Sequence, residues 1–121
     1  MQQNLIYFNS RDELLRLNMS HIVYFEADGN YTNIMLTNKL KCKVGMNLSQ
    51  MFKTLETHMH GRDMFFARIG KRFIVNMNYV LQVNVLKHRL VLSDGEHFSY
   101  VIDISKEALK KLKELIIKTK V

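Results

Sequence analysis

Proline does not occur in this chain and glycine occurs only five times, so composition marks no linker. No internal repeat and no low-complexity tract appears either. The 121 residues predict one domain over 1–121, long enough to bury a core without covalent staples. Cysteine occurs once, as Cys42, which rules out an internal disulfide and suits a reducing cytoplasm. No apolar run reaches membrane-spanning length, and the N-terminus lacks the basic-then-apolar order of an export signal. A cytoplasmic protein is expected, neither secreted nor integral to a membrane.

Catalytic signatures are also missing. There is no glycine-rich phosphate loop, no nucleophile elbow and no zinc-protease helix motif. His58-Met59-His60 is the only close histidine pair, and no carboxylates accompany it to complete a metal shell. Glu26 and Asp28 flank a turn, where an aspartate ordinarily serves the backbone. No enzyme, metal or cofactor is expected from these residues.

Positive charge is what the chain has in excess: 18 Lys and Arg against 11 Asp and Glu, a net +7. The first sixty residues carry six basic and five acidic side chains, whereas residues 61–121 carry twelve and six. The second half therefore supplies most of the positive field, and a polyanionic partner follows as a candidate.

Hydrophobic patterning predicts a mainly β fold with two helices. Leu5–Phe8 and Leu14–Leu17 form a first candidate pair of strands around the Asn9–Asp12 turn. Ile22–Glu26 is β-branched and aromatic. Asp28-Gly29-Asn30 then favours a tight turn, and Tyr31–Thr37 returns as a strand. Leu40–Val44 extends the sheet, with Lys39, Lys41 and Lys43 alternating to one side. At Asn47 the period changes: Leu48, Met51, Phe52 and Leu55 fall at helical spacing, and Asn47 with Gln50 resembles a capping box. His58–Asp63 is expected as the loop that ends this helix. Strand signals return at Phe65–Ile69, Phe73–Val75, Tyr79–Leu86, Arg89–Leu92 and His97–Ile102, the last two joined by Ser93–Glu96. A final helix begins near Ser105, with Leu109, Leu112 and Ile116 on one face and Lys106, Lys110, Lys113 and Lys118 mostly off it. Strands and helices do not alternate as βαβ units, so a parallel nucleotide-binding sheet is disfavoured.

Within this framework Arg68, Lys71 and Arg72 stand out, because a strand–turn–strand holds three cations at fixed spacing. Such a ledge can contact phosphate or bases, or simply protect a sheet edge from aggregation. The Asn30, Tyr31, Thr32 and Asn33 loop offers hydrogen-bonding groups to phosphate oxygens or base edges, or is a plain hairpin corner. A second reading is a β-rich module that binds another protein or single-stranded RNA, with Tyr7, Tyr31 and Tyr100 as stacking candidates.

Three segments carry a more specific signal: Ile22-Val23-Tyr24-Phe25-Glu26-Ala27-Asp28-Gly29-Asn30-Tyr31-Thr32, Leu48 to Leu55, and Phe66-Ala67-Arg68-Ile69-Gly70-Lys71-Arg72-Phe73-Ile74-Val75-Asn76. Together with Ser105–Leu112 they resemble the LytTR DNA-binding domain, and the resemblance runs from about Leu5 to Leu115. It implies an elongated fold of small antiparallel sheets stacked in layers, with a short mid-chain helix and a C-terminal helix. It also implies a bacterial transcription regulator that reads double-stranded DNA through loops in successive major grooves, bending the duplex. Repeated half-sites and a possible dimer on DNA go with that reading. Carried onto this chain, the reading loops are Asn30–Asn33, Gly70–Arg72 and Ser105-Lys106. Arg68 would support the second loop or hold phosphate, and Asn76 would cap a turn. Lys71 and Arg72 could read guanine, and Asn30 or Asn33 adenine. The family often has His at the position of Gly70 and Arg at that of Lys106, and Lys cannot form the bidentate fork of Arg. Family members commonly carry an N-terminal phosphoacceptor domain, for which these 121 residues leave no room. A stand-alone regulator or an excised output domain is expected.

Overall fold

The computed structural model describes residues 4–59 and 66–120. Among these, ten strands form three antiparallel sheets, and two α-helices flank them. β1 (Leu5–Asn9) and β2 (Leu14–Asn18) make a hairpin. The central sheet contains β3 (Ile22–Asp28), β4 (Tyr31–Leu36), β5 (Lys41–Val44), β6 (Phe66–Ile69) and β7 (Phe73–Asn76), in the order β5-β4-β3-β7-β6. The third sheet is β10-β9-β8, built from β8 (Val80–Asn84), β9 (Arg89–Ser93) and β10 (Ser99–Asp103). Helices α1 (Leu48–His58) and α2 (Lys106–Lys120) lie between and after the strands.

The central sheet is covered on both faces, so its successive side chains feed two different cores. Phe25, Ile34, Phe66 and Ile74 join Ile6 and Phe8 of β1 and Met51 and Leu55 of α1. Ile69, Phe73 and Val75 turn the other way, toward Leu90 and Leu92 of β9 and Leu109 and Leu112 of α2. Strict alternation fails at Val23, an extra residue in β3: Ile22 pairs with Leu36 and Tyr24 with Met35. This bulge sends Val23 and Tyr24 into the same core and locally breaks the ladder. Asn76, fully buried, attends to the break. Its Nδ2 donates to the Ile22 carbonyl at 2.8 Å, and its Oδ1 accepts from the Asn78 amide at 2.9 Å, capping the 3-10 turn Met77–Tyr79. Two tyrosines tie the third sheet, and the turn that leads into it, to the chain around the same end of the central one. Tyr79 donates its hydroxyl to the Ser20 carbonyl at 2.7 Å and Tyr100 to the Leu36 carbonyl at 3.0 Å.

Local sequence rules explain most element ends. Asn47 and Gln50 form the reciprocal capping box at α1, with bonds of 2.9 and 3.0 Å. Ser105 precedes α2, and its hydroxyl accepts from the Ala108 amide at 3.3 Å. Some boundaries differ from the sequence expectation. Lys39 is not a strand residue: it takes a left-handed φ of +72° in the turn between β4 and β5. Tyr79 belongs to the 3-10 turn, and residues 85–88 form the turn before β9. The expected loop from His58 to Asp63 extends outside the described residues beyond Met59, as does Phe65. No helix among the described residues is long and apolar enough to cross a membrane.

The β9–β10 hairpin turns on Asp94, whose Oδ1 accepts from the Glu96 and His97 amides at 2.9 and 2.7 Å while Oδ2 meets His97 Nδ1 at 2.8 Å. These donors, the Glu96 amide first, hold its carboxyl well below the usual aspartate range. A depressed folded-state pKa means that the unfolded chain binds more protons in the acid window. The cap's contribution is present above the ordinary aspartate range and is lost as pH falls through the depressed value. Stability should therefore decline as pH drops from about 5 toward 2, and Asp94→Ala should flatten part of that decline in urea titrations at each pH. Asn76→Ala should cost about 2–3 kcal/mol, because it strands the Ile22 carbonyl and removes a cap. Asn76→Asp should cost more by placing a carboxylate against that carbonyl, and chemical unfolding measures both.

Candidate nucleic-acid interface

The β3–β4 and β6–β7 hairpins close at the same end of the central sheet. The register shows this directly, since Glu26 near the end of β3 lies opposite Phe73 at the start of β7 and opposite Asn33 in β4. The two-residue turn Gly29-Asn30 closes the first hairpin, and glycine meets its φ of +61°. The second hairpin closes through Gly70, Lys71 and Arg72, with Gly70 at φ +62°. A Cβ on Gly70 would meet Ala108 at an ordinary 3.8 Å, so backbone conformation, not space, selects glycine there. The same closeness brings the start of α2 beside this loop. A cleft between them is lined by Gly70, Lys71, Arg72, Asp103 and Ser105. All three loops expected from the sequence thus gather at one end of the central sheet.

Their side chains divide into two groups. Asn30 and Tyr31 are exposed, Tyr31 to 50%. Thr32 and Asn33, expected on the loop surface, are instead buried to 0% and 7% exposure. Thr32 donates its hydroxyl to the Met46 carbonyl at 2.7 Å, which ties the hairpin to the chain entering α1. Asn33 donates from Nδ2 to Asp28 Oδ2 at 3.2 Å, and its Oδ1 is buried with no donor among the described residues. The cause is strand alternation within a sheet covered on both sides: one residue past the turn, the chain is already between layers.

In the second loop Arg68 is exposed but engaged. Its Nη1 donates to Ser49 Oγ at 2.9 Å and its Nη2 to the Lys71 carbonyl at 3.3 Å, so it links the loop to the first turn of α1. Arg72 donates from Nη2 to Glu26 Oε2 at 2.8 Å, and its guanidinium carbon lies 5.3 Å from the Phe73 ring centroid. Lys71 is exposed and has no side-chain partner among the described residues. Ser105 and Lys106 are exposed at the start of α2.

Sequence reasoning missed three participants. Lys43 lies opposite Asn33 in β5, pairs with Asp28 at 3.0 Å and sits 5.5 Å over the Tyr31 ring. That Lys43 hydrogen bond, followed by the one from Asn33, lowers the Asp28 pKa. Glu26 holds Arg72, and Ser49 holds Arg68. The alternation of Lys41 and Lys43 was the available signal for Lys43, but its register against Asn33 depends on the length of an irregular turn.

The second reading fares less well in geometry. Tyr100 packs edge-on against Tyr24 at 5.4 Å, partly buried against the second core, and its hydroxyl is occupied. Tyr7 and Tyr31 stay exposed on different sheets. Among the described residues no group of three His, Cys, Asp or Glu is placed to hold a metal ion. His58 Nδ1 faces the Thr54 carbonyl at 3.0 Å, and His60 lies outside the described residues.

A family model described as the LytTr DNA-binding domain matches residues 12–117. Among solved structures, the chain resembles a LytTr DNA-binding domain from Bacillus cereus, taken from a protein described as a methyl-accepting/DNA response regulator. The two share 18% sequence identity and superpose with a TM-score of 0.63, over 93% of this chain and 96% of that one. No curated protein matches the sequence. The likeness extends to the stacked sheets and both helices, as the resemblance in the sequence implied.

The split of the first loop is testable. Thr32→Val should destabilise the fold by about 1–2 kcal/mol by stranding the Met46 carbonyl. Asn30→Ala should stay within about 0.5 kcal/mol of the parent in urea unfolding, as an exposed tip residue.

Proposed function

The chain belongs to the LytTR DNA-binding domain family, and we propose that it is a bacterial transcription regulator that binds specific double-stranded DNA sequences through loops in the major groove. The family is defined by DNA binding and not by a reaction. The observation that carries the finer reading is the gathering of Asn30, Lys71, Arg72 and Lys106 at one end of the central sheet, all of them exposed. The helices are poor candidates for groove insertion, since α1 and α2 spend their apolar faces on the two cores. A β-hairpin fits the roughly 12 Å width of the major groove, so the two hairpin tips are suitable readers. Arg72 supplies a planar fork for guanine, Lys71 a mobile point charge and Asn30 an amide for adenine. Arg68, engaged with Ser49 and the Lys71 carbonyl, supports the second loop. Tyr31 and Ser105-Lys106 flank these readers and contact the backbone. Thr32 and Asn33 act from inside, by fixing the hairpin. Repeated half-sites, each taken by one copy, extend the contact along one face of a bent duplex, and the work is done in the cytoplasm.

Selection of bound sequences from a random duplex pool tests this reading and reports the half-site spacing. Affinity for the selected site should exceed that for scrambled duplex by about 10³-fold or more, and should fall steeply with salt. Lys71→Ala combined with Arg72→Ala should abolish the preference while circular dichroism shows an intact fold. Equal binding to scrambled DNA, or unchanged affinity in the folded double variant, would overturn the assignment.

A further inference from the structure

Glu26 and Asp28 stand two residues apart on β3 and therefore share a face. Each holds a cation from a different side of the sheet: Glu26 takes Arg72, in the turn before β7, at 2.8 Å, and Asp28 takes Lys43 of β5 at 3.0 Å. Each cation is also backed by a ring, Arg72 by Phe73 at 5.3 Å and Lys43 by Tyr31 at 5.5 Å. The frame behind the pairs is fixed. The Ala27 amide donates to the Arg72 carbonyl at 2.8 Å, and buried Asn33 lies between Glu26 and Lys43 in register and donates to Asp28. The Glu26 side chain is only 26% exposed, whereas that of Arg72 is 67% exposed. Glu26 thus lies behind its cation, whereas Asp28, 48% exposed, stands level with Lys43 at 54%; both pairs sit at the end of the sheet where the reading loops gather.

Such half-exposed ion pairs add little to folding stability. Their effect on DNA is larger in kind. Non-specific affinity comes from cations that neutralise phosphates and release counterions. A cation already facing a carboxylate contributes less to that release, and the carboxylate repels an approaching phosphate. Base recognition needs something else, a guanidinium held at a fixed angle with donors to spare. The guanidinium has five N–H donors, and Glu26 engages it through Nη2 alone.

Building on the DNA-binding assignment above, we propose that Glu26 and Asp28 are specificity-determining residues: they position Arg72 and Lys43 for base or groove contacts and suppress indiscriminate phosphate binding. Discrimination comes from weakening the wrong complexes as well as from strengthening the right one.

The test compares the full chain with Glu26→Gln, Asp28→Asn and the double variant. Fluorescence anisotropy would measure binding to the selected site and to scrambled duplex across a salt series. Each single variant should tighten scrambled binding by about two- to fivefold, leave selected-site affinity within about twofold, and steepen the scrambled-duplex salt slope by about one unit per freed cation. Glu56→Gln, which removes a carboxylate from the exposed face of α1, controls for net charge and should leave the selected-to-scrambled ratio unchanged. An unaltered ratio and slope in folded Glu26→Gln, or an equal shift in Glu56→Gln, would overturn the proposal. Should Glu26→Gln fail to fold, Asp28→Asn at its half-exposed pair decides by the same two readouts. A parent chain that does not distinguish the selected from the scrambled duplex would instead defeat the DNA-reading assignment itself.

Discussion

A sheet with a core on each face leaves its middle strands almost no place for a polar side chain, and the layout of this molecule follows from that constraint. In β3 and β7 every residue from Ile22 to Phe25 and from Phe73 to Asn76 is buried. Polar groups are displaced to the end of the sheet, where β3 outruns the two cores and carries Glu26 and Asp28. The hairpins that close there must turn within two or three residues, which accounts for positive φ at Gly29 and Gly70. The same constraint accounts for Asn76. A bulge at Val23 is needed to put Tyr24 on the far core, the bulge frees a carbonyl, and a buried carbonyl must find a donor.

Much of the architecture was legible because it rests on local rules. The Ile22–Glu26 run, the Asp28-Gly29-Asn30 turn, the Asn47–Gln50 cap and the Leu109–Leu112 stripe all state their roles within a few residues. The resemblance to LytTR domains then supplied the layered arrangement that periodicity alone could not give. What stayed hidden was long-range. Thr32 and Asn33 look like surface residues next to a turn, and only the cover on both faces of β4 shows that they are inside. The Arg72–Glu26 pair spans 46 positions and has no local signature. Lys39 looked like one of three alternating lysines, yet the turn bends before it and only Lys41 and Lys43 are in β5.

Net charge and local charge give different information about the interface. A total of +7 sets a field that reaches about a Debye length, ~8–10 Å in physiological salt, and favours encounter with any polyanion. At contact distance the field is no longer uniform, because Arg72 and Lys43 each face a carboxylate while Lys71 faces none among the described residues. Encounter and recognition can therefore be set by different residues. On the proposed reading the lysines of α2 and Lys71 serve the first, and the paired cations serve the second.

Gly70 shows how this division constrains the second loop. With a left-handed φ and no side chain it has only backbone to offer, so on the proposed reading the hairpin's chemical information falls on the two residues after it. Lys71 is a point charge on a flexible stem and discriminates poorly by geometry. Arg72 has the planar fork, but a fork discriminates only if its plane is held. The ion pair to Glu26, the stacking on Phe73 and the Ala27–Arg72 backbone bond supply that restraint from three directions. On the proposed reading, a loop that lacks a side chain at its first position recovers selectivity at its third, through an acidic residue that itself need never touch DNA.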